Sequence, residues 1–249
     1  MIKPLLSLLA TVAVCGHAHA QTRIGQWRDH LPYRKAIAVA EATDDRVFCA
    51  TRAGLFKYDP FSAEIDKYTK VNALNDVNIS TIAWCAALQR LVVGYDNGNI
   101  DLVGDNDAVN LGDIRRSSLI GDKSINQVVF DGTTGYFSCG FGIVVADLSV
   151  PEILETWLIG PGGTQLAVNG ICFLGDSVHA ATNEGVYSAL RSDPNLAAFT
   201  SWHKHTELPN PNGRFNALAA FNGKLFVNYR HPVLEEADTM YIQDGGWQR

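Results

Sequence analysis

Four segments of this chain share one plan, and their spacing constrains the fold more than any other feature. They read RVFCATRAGLFKYD, RLVVGYDNGNIDLV, GYFSCGFGIVVADL and SVHAATNEGVYSAL. Each is an apolar alternating stretch, a short turn ending in glycine, then a second alternating stretch. The glycines Gly54, Gly98, Gly142 and Gly185 follow one another at intervals of 44, 44 and 43 residues. A fixed period of this length marks a repeat architecture, in which each unit buries its faces against its neighbours. A fifth copy begins at GKLFVNYRHP, where the turn lengthens to YRHPVLEEAD before TMYIQ.

Each unit has further strands. STIAW, NQVVF, NGICF and NALAAF stand upstream of successive units, with Ser80, Asn126, Asn169 and Asn216 at matching places. A short polar residue there is expected to bond its local backbone and start the strand out of a turn. An outer strand is marked by an aromatic, at Trp27, Tyr68, Trp157, Trp202 and Trp247, the last three 45 residues apart. No helical period follows the first twenty residues. Four short antiparallel strands per repeat predict an all-β fold, a β-propeller with four-stranded blades of about 45 residues. Five blades are expected, in an incomplete ring. The repeated glycines are expected to supply positive φ at the turn between second and third strands. Asp-Pro in YDPFSAE and RSDPNL predicts a type I turn between third and fourth strands.

The segment MIKPLLSLLATVAVCGHAHA has a basic start, a short apolar run and a small-x-small end. It reads as an export leader over 1–20, leaving a partial propeller over 21–249. Cys49, Cys85, Cys139 and Cys172 then remain, each inside a strand-like run, and are expected to be free thiols. QWRDHLP reads as a fourth-strand phrase without three strands before it. Propellers often close their ring with such a strand, so the chain is expected to be a piece of a larger propeller, of about seven blades.

The net charge of −6 excludes a dedicated nucleic-acid binder, and after the leader no apolar run is long enough to span a bilayer. Gly-x-Ser-x-Gly, His-Glu-x-x-His and a phosphate-cradling loop are all missing from the sequence, so no enzyme and no cofactor are expected. GPGGT at Gly160 reads as a turn between blades. His203 and His205 flank Lys204 and would share one strand face, but their spacing forces no third ligand nearby. They, His30 and His231 read as solvated or packing histidines, with no metal expected, and the outer aromatics read as packing.

A ligand would meet the face made by the turns into each first strand and between second and third strands. That face is expected to collect Arg34, Lys35, Arg52, Asp96, Asn97, Arg115, Arg116, Asn183, Glu184, Arg230 and His231. Its arginines suit the phosphates or carboxylates of an anionic glycan. The lengthened fifth-unit loop, Tyr229 to Asp238, is expected to be a partner site.

Two resemblances add to this. ATRAGLFKYDPFSAEIDKYTKVNALNDVNISTIAW resembles a blade of the sensor ectodomains of hybrid two-component regulators. The match runs through Gly54, Leu55, Tyr58, Asp59, Pro60, Tyr68 and Leu74, with Asn78 near the expected Asn. IGQWRDHLPYRKAIAVAEATDDRVFCAT, directly after a leader, resembles the N-terminus of the PorZ family of the Bacteroidetes type IX secretion system. That family has two such propellers and a C-terminal β-domain. The resemblance implies a cell-surface protein in an attachment complex with a sortase, binding anionic lipopolysaccharide. It implies a non-enzymatic binding and scaffolding module, exported from the periplasm to the outer-membrane surface. The alternative is a periplasmic sensor ectodomain of a hybrid two-component system that detects oligosaccharides. A propeller hydrolase or lyase would need acid–base groups converging on the central face.

Overall fold

The computed structural model describes residues 31–249. The expected leader, the strand at Trp27 and His30 lie outside the described residues. Within them are five four-stranded antiparallel sheets, each strand paired with its neighbour in sequence. Blade 1 is β1 (Ala38–Glu41), β2 (Val47–Thr51), β3 (Gly54–Asp59) and β4 (Glu64–Tyr68). Blade 2 is β5 (Ile79–Cys85), β6 (Arg90–Tyr95), β7 (Ile100–Val103) and β8 (Ala108–Leu111). Blade 3 is β9 (Ile125–Asp131), β10 (Thr134–Cys139), β11 (Gly142–Asp147) and β12 (Glu152–Trp157). Blade 4 is β13 (Val168–Leu174), β14 (Ser177–Thr182), β15 (Gly185–Leu190) and β16 (His203–Lys204). Blade 5 is β17 (Phe215–Phe221), β18 (Lys224–Tyr229), β19 (Thr239–Gln243) and β20 (Trp247–Gln248). One helical turn, α1 (Asp113–Arg116), joins blades 2 and 3. First strands pack in succession from β1 to β17, and among the described residues the ring is not closed.

The core lies between blades because strand alternation serves two neighbours at once. In β6, Leu91, Val93 and Tyr95 join the cluster shared with blade 1, while Val92 joins the cluster shared with blade 3. Gly94 lets the strand approach blade 3, since a Cβ there would lie 2.8 Å from Ile125 Cβ. Among the described residues no further blade covers the outer faces of blades 1 and 5, where Val39 and Phe221 are exposed.

Two expectations about the turns are refined. The turns after Thr51, Cys139 and Thr182 have two residues, closing on Gly54, Gly142 and Gly185. Blade 2 has one residue more: the Tyr95 and Asn99 backbones pair, so Asn99 takes the glycine's register and Gly98 sits in the turn. Positive φ is required at Gly185 (+119°), where a Cβ would lie 2.3 Å from the Pro211 carbonyl oxygen, but Gly54 does not use it. The Asp-Pro pairs lie between third and fourth strands as expected, with Asp59 accepting from the Phe61 N–H and Asp193 from the Asn195 N–H.

The polar residues at the first-strand starts do something other than start a local turn. Each sits at a β-bulge, with two residues facing one on the second strand. A bulge re-aims its side chain, and here it turns the side chain onto the next blade. The Ser80 hydroxyl donates to the Ile125 carbonyl (2.6 Å), Asn126 Nδ2 to the Val168 carbonyl (2.8 Å) and Asn169 Nδ2 to the Phe215 carbonyl (2.7 Å). These are blade-to-blade clamps, repeated because the blades repeat.

Equal spacing of tryptophans also misleads. By register Tyr68 and Trp157 end the fourth strand, opposite Leu55 and Ile143. Leu111 holds that place in blade 2, opposite Ile100, and His205 holds it in blade 4, where its N–H bonds the Val186 carbonyl. Trp202 and Trp247 instead stand at the start of the strand. Trp157 and Trp202 are buried together, with ring centroids 5.9 Å apart. The four cysteines are free; Cys85 and Cys139 are buried, and burial pushes the Cys172 thiol up to about 12.

Candidate functional site

Antiparallel blades put the turns between second and third strands, and the crossings from blade to blade, on one face. All the sequence-predicted ligand residues fall there, but the structure divides them into groups with different chemistry. Next to blades 1 and 2, Arg52, Arg115 and Arg116 are neutralised. Arg52 pairs with Asp96, and Arg115 pairs with Asp76 (2.9 Å). Asp76 is buried; it also accepts from Asn97 Nδ2 and the Val77 N–H at 2.8 and 2.9 Å, and lies 3.7 Å from Lys70 Nζ. Burial alone would raise its carboxyl, but these partners outweigh it and hold the group below its usual value. Arg116 turns back to Asp113 of α1 (3.4 Å). Asn183 accepts from Asn169 Nδ2 (3.0 Å), so it belongs to the clamp series.

Directly beneath lies a carboxylate that sequence reasoning missed. Asp101 is fully buried and accepts four hydrogen bonds. They come from the Asn75 N–H (2.8 Å), Asn75 Nδ2 (2.9 Å), Asn110 Nδ2 (2.8 Å) and the Tyr95 hydroxyl (2.6 Å). Burial and the charge of Asp101 push the Tyr95 phenol up. With every donor satisfied, this network fixes the loop that carries Asp76.

At blade 5 the long loop between β18 and β19 walls a cavity of about 390 Å³ with Arg214, Tyr229, Arg230, His231 and Leu234. Arg230 pairs with Asp238 at 3.5 Å, a loose contact, and Asp238 also accepts from Asn228 Nδ2 and the His231 N–H. The His231 ring stands edge-on to Tyr229, 6.2 Å between centroids. Arg214 was not singled out by its sequence. It is exposed, lies next to the first strand of its blade, and has no carboxylate partner among the described residues. Leu234, at the loop tip, is 80% exposed. Arg34 is likewise exposed without a carboxylate partner among the described residues, but it stands before blade 1, so these cations do not form one patch. A cavity of about 740 Å³ between blades 3 and 4 opens on the opposite face; its Arg191 is held by Asp131 and lies over the Phe173 ring.

A third group appears at the outer seam of blades 4 and 5. Glu207 joins His203 and His205, and one ligand atom from each lies within 4.8 Å of the others. This is the third ligand that spacing did not force; the signal was the i, i+2, i+4 run His-x-His-x-Glu continuing past the strand end.

The geometry agrees with comparison to known proteins. The family model for the TSS9, PorZ, N-terminal beta-propeller domain matches residues 47–203. Among solved structures, PorZ of Porphyromonas gingivalis, described as an essential bacterial surface component of the type-IX secretion system, is 20% identical with a TM-score of 0.71. The match covers 85% of this chain and 27% of that one. The extracellular domain of BT4673 from B. thetaiotaomicron, a one component or hybrid two component system, is 14% identical with a TM-score of 0.61, covering 82% of this chain and 27% of that one. The computationally designed Ika8 protein is 13% identical, with a TM-score of 0.56 over 86% of this chain and 60% of that one. No curated protein matches the chain. None of the helices in the described residues is long and apolar enough to cross a membrane.

Proposed function

We propose a function from one premise: the chain belongs to the PorZ N-terminal β-propeller family of the type IX secretion system. It acts as a non-enzymatic binding and scaffolding module, exported from the periplasm to the outer-membrane cell surface. Its ligand is the anionic part of lipopolysaccharide, and its protein partners are the sortase and other members of the attachment complex. No cofactor takes part in the binding, because recognition needs a rigid charged face and no bond is made or broken.

The observation that carries this reading is the contrast of arginines. Arg52, Arg115 and Arg116 already face carboxylates, whereas Arg214 faces none among the described residues, beside Tyr229, Arg230 and His231 in an open cavity. An unpaired guanidinium offers a fork of donors to phosphate or carboxylate, and the aromatic ring beside it suits the apolar face of a sugar. Arg34 and the paired arginines contribute only long-range attraction. The test is binding of purified anionic lipopolysaccharide and of a neutral polysaccharide to the immobilised protein. Preference for the anionic form, lost in Arg214→Ala, supports the proposal; equal binding of both, unchanged in the variant, overturns it.

The likeness to extracellular domains of regulators supports one other reading, a sensor ectodomain for oligosaccharides. That reading expects neutral oligosaccharides to bind as well as charged ones.

A further inference from the structure

The seam between blades 4 and 5 is built unlike the others. The seam between blades 3 and 4 is rich in aromatic rings, with Tyr136, Trp157, Phe173 and Trp202 in its cluster. Between blades 4 and 5 the cluster holds Ala181, Val186, Phe215 and Leu225, with Trp247 packed against it. Beside it stands a group of imidazoles. His179, Ser188 and His203 lie directly opposite one another on β14, β15 and β16, and His205 follows two residues on, on the same face. Lys204 lies on the other face, bonded to Asn212 (2.7 Å) and above the Tyr187 ring. The positive charge between the two histidines is therefore kept away from them.

We propose that His203, His205 and Glu207 bind a divalent transition-metal ion of the zinc class, which staples the outer seam of blades 4 and 5. Two imidazoles and a carboxylate are a ligand set that zinc accepts, with the fourth position left to water. At about 2.1 Å from each ligand, a tetrahedral ion sets its ligand atoms about 3.4 Å apart. The three atoms here, all within 4.8 Å of one another, reach that spacing by small side-chain rotations. His203 and Glu207 are both exposed, and because Glu207 already lies against His205, most of the adjustment falls to His203.

Each inner ligand also has an orienting partner. His205 is buried, with Nδ1 2.7 Å from Glu207 Oε1 and Nε2 3.0 Å from Ser188 Oγ. Metal at Nδ1 puts the ring proton on Nε2, and the Ser188 hydroxyl can rotate to accept it. Trp247 of blade 5 donates its indole N–H to Glu207 Oε1 (3.2 Å) and packs edge-on to His205. Metal binding thereby fixes a carboxylate that blade 5 already holds. His179, 6% exposed and stacked near His205 at 6.2 Å, leaves its Nδ1 without a hydrogen-bond partner. A buried polar atom of this kind is costly, and packing alone does not account for the imidazoles here.

The test uses the whole chain stripped of metal with a chelator, then titrated with Zn²⁺ against a chromophoric competitor, and with Co²⁺ followed by its visible absorption. One ion per chain is expected, with the intense Co²⁺ bands of low coordination number. His203→Ala alters an exposed residue and should fold normally, yet weaken Zn²⁺ binding by roughly 100-fold. Glu207→Gln, which keeps the shape, should also weaken it. Zn²⁺ should raise the melting temperature of the parent chain and not of His203→Ala. Absence of stoichiometric binding, or binding equal in the parent and both variants, overturns the proposal and leaves His205 and Glu207 as a simple hydrogen-bonded pair.

Discussion

Arg52 and Arg214 both stand on the face proposed to meet the ligand, each close to the start of a strand, and in sequence they look alike. In the fold they differ in what lies opposite. Arg52 meets Asp96, which occupies the matching turn 44 residues later, and the neighbouring Asp76 and Asp101 organise the rest of that side. Arg214 meets open space walled by Tyr229 and His231. One side of the face is a satisfied network that holds loops in place, and on the other Arg214 has no carboxylate partner among the described residues. The comparison teaches that charge becomes available for binding only where the repeat fails to supply its complement. Substitutions on the first side should therefore alter stability and leave binding intact, and those on the second side should do the reverse.

The largest effect is expected at Asp101. Four donors converge on it, so Asp101→Asn sets an amide N–H₂ against N–H and O–H groups and should cost about 3 kcal/mol of stability. Urea denaturation checks this through the midpoint, with the slope unchanged. Next is the clamp. Asn169→Ala leaves the Phe215 carbonyl without its side-chain donor and should cost about 1.5 kcal/mol by the same measurement. A variant that lost nothing would reduce the clamps to incidental contacts.

A smaller, pH-dependent effect belongs to Asp76. Its folded value lies below the unfolded 3.8, so its contribution is complete above 3.8 and is lost as pH falls through the folded value. Acid unfolding of Asp76→Asn should show a shallower stability loss below pH 3.8 than the parent chain. Smallest is Arg52→Ala. Its ion pair with Asp96 is solvent-exposed, and its removal should change stability by no more than about 0.5 kcal/mol.

Much of the fold was legible from the sequence because blades repeat and alternation has a period of two. The glycine interval located four of the five hairpins between second and third strands, and the Asp-Pro pairs lie between third and fourth strands as expected. The reading failed where a residue's role depends on a neighbouring blade. Asn126 and Asn169 look like turn formers locally, yet a bulge turns them outward onto the next strand. Trp157, Trp202 and Trp247 keep equal intervals, but different lengths of connection put the last two at another register. Topology did bring the expected residues to one face. Which of its arginines are occupied was not legible, since Asp76 and Arg115 lie on different blades' crossings. A usable signal did exist: opposite charges one repeat apart, at the same turn, as Arg52 and Asp96 are. Glu207 was one alternate step beyond His205, past the end of the strand where alternation was being counted.

The measurement that bears most directly on the central claim compares anionic lipopolysaccharide binding by Arg214→Ala and by the double variant Arg52→Ala/Arg115→Ala. Both should fold like the parent chain. The account predicts a loss of about tenfold or more for Arg214→Ala, and less than about twofold for the double variant. An equal loss in the two, or a loss confined to the double variant, would contradict it.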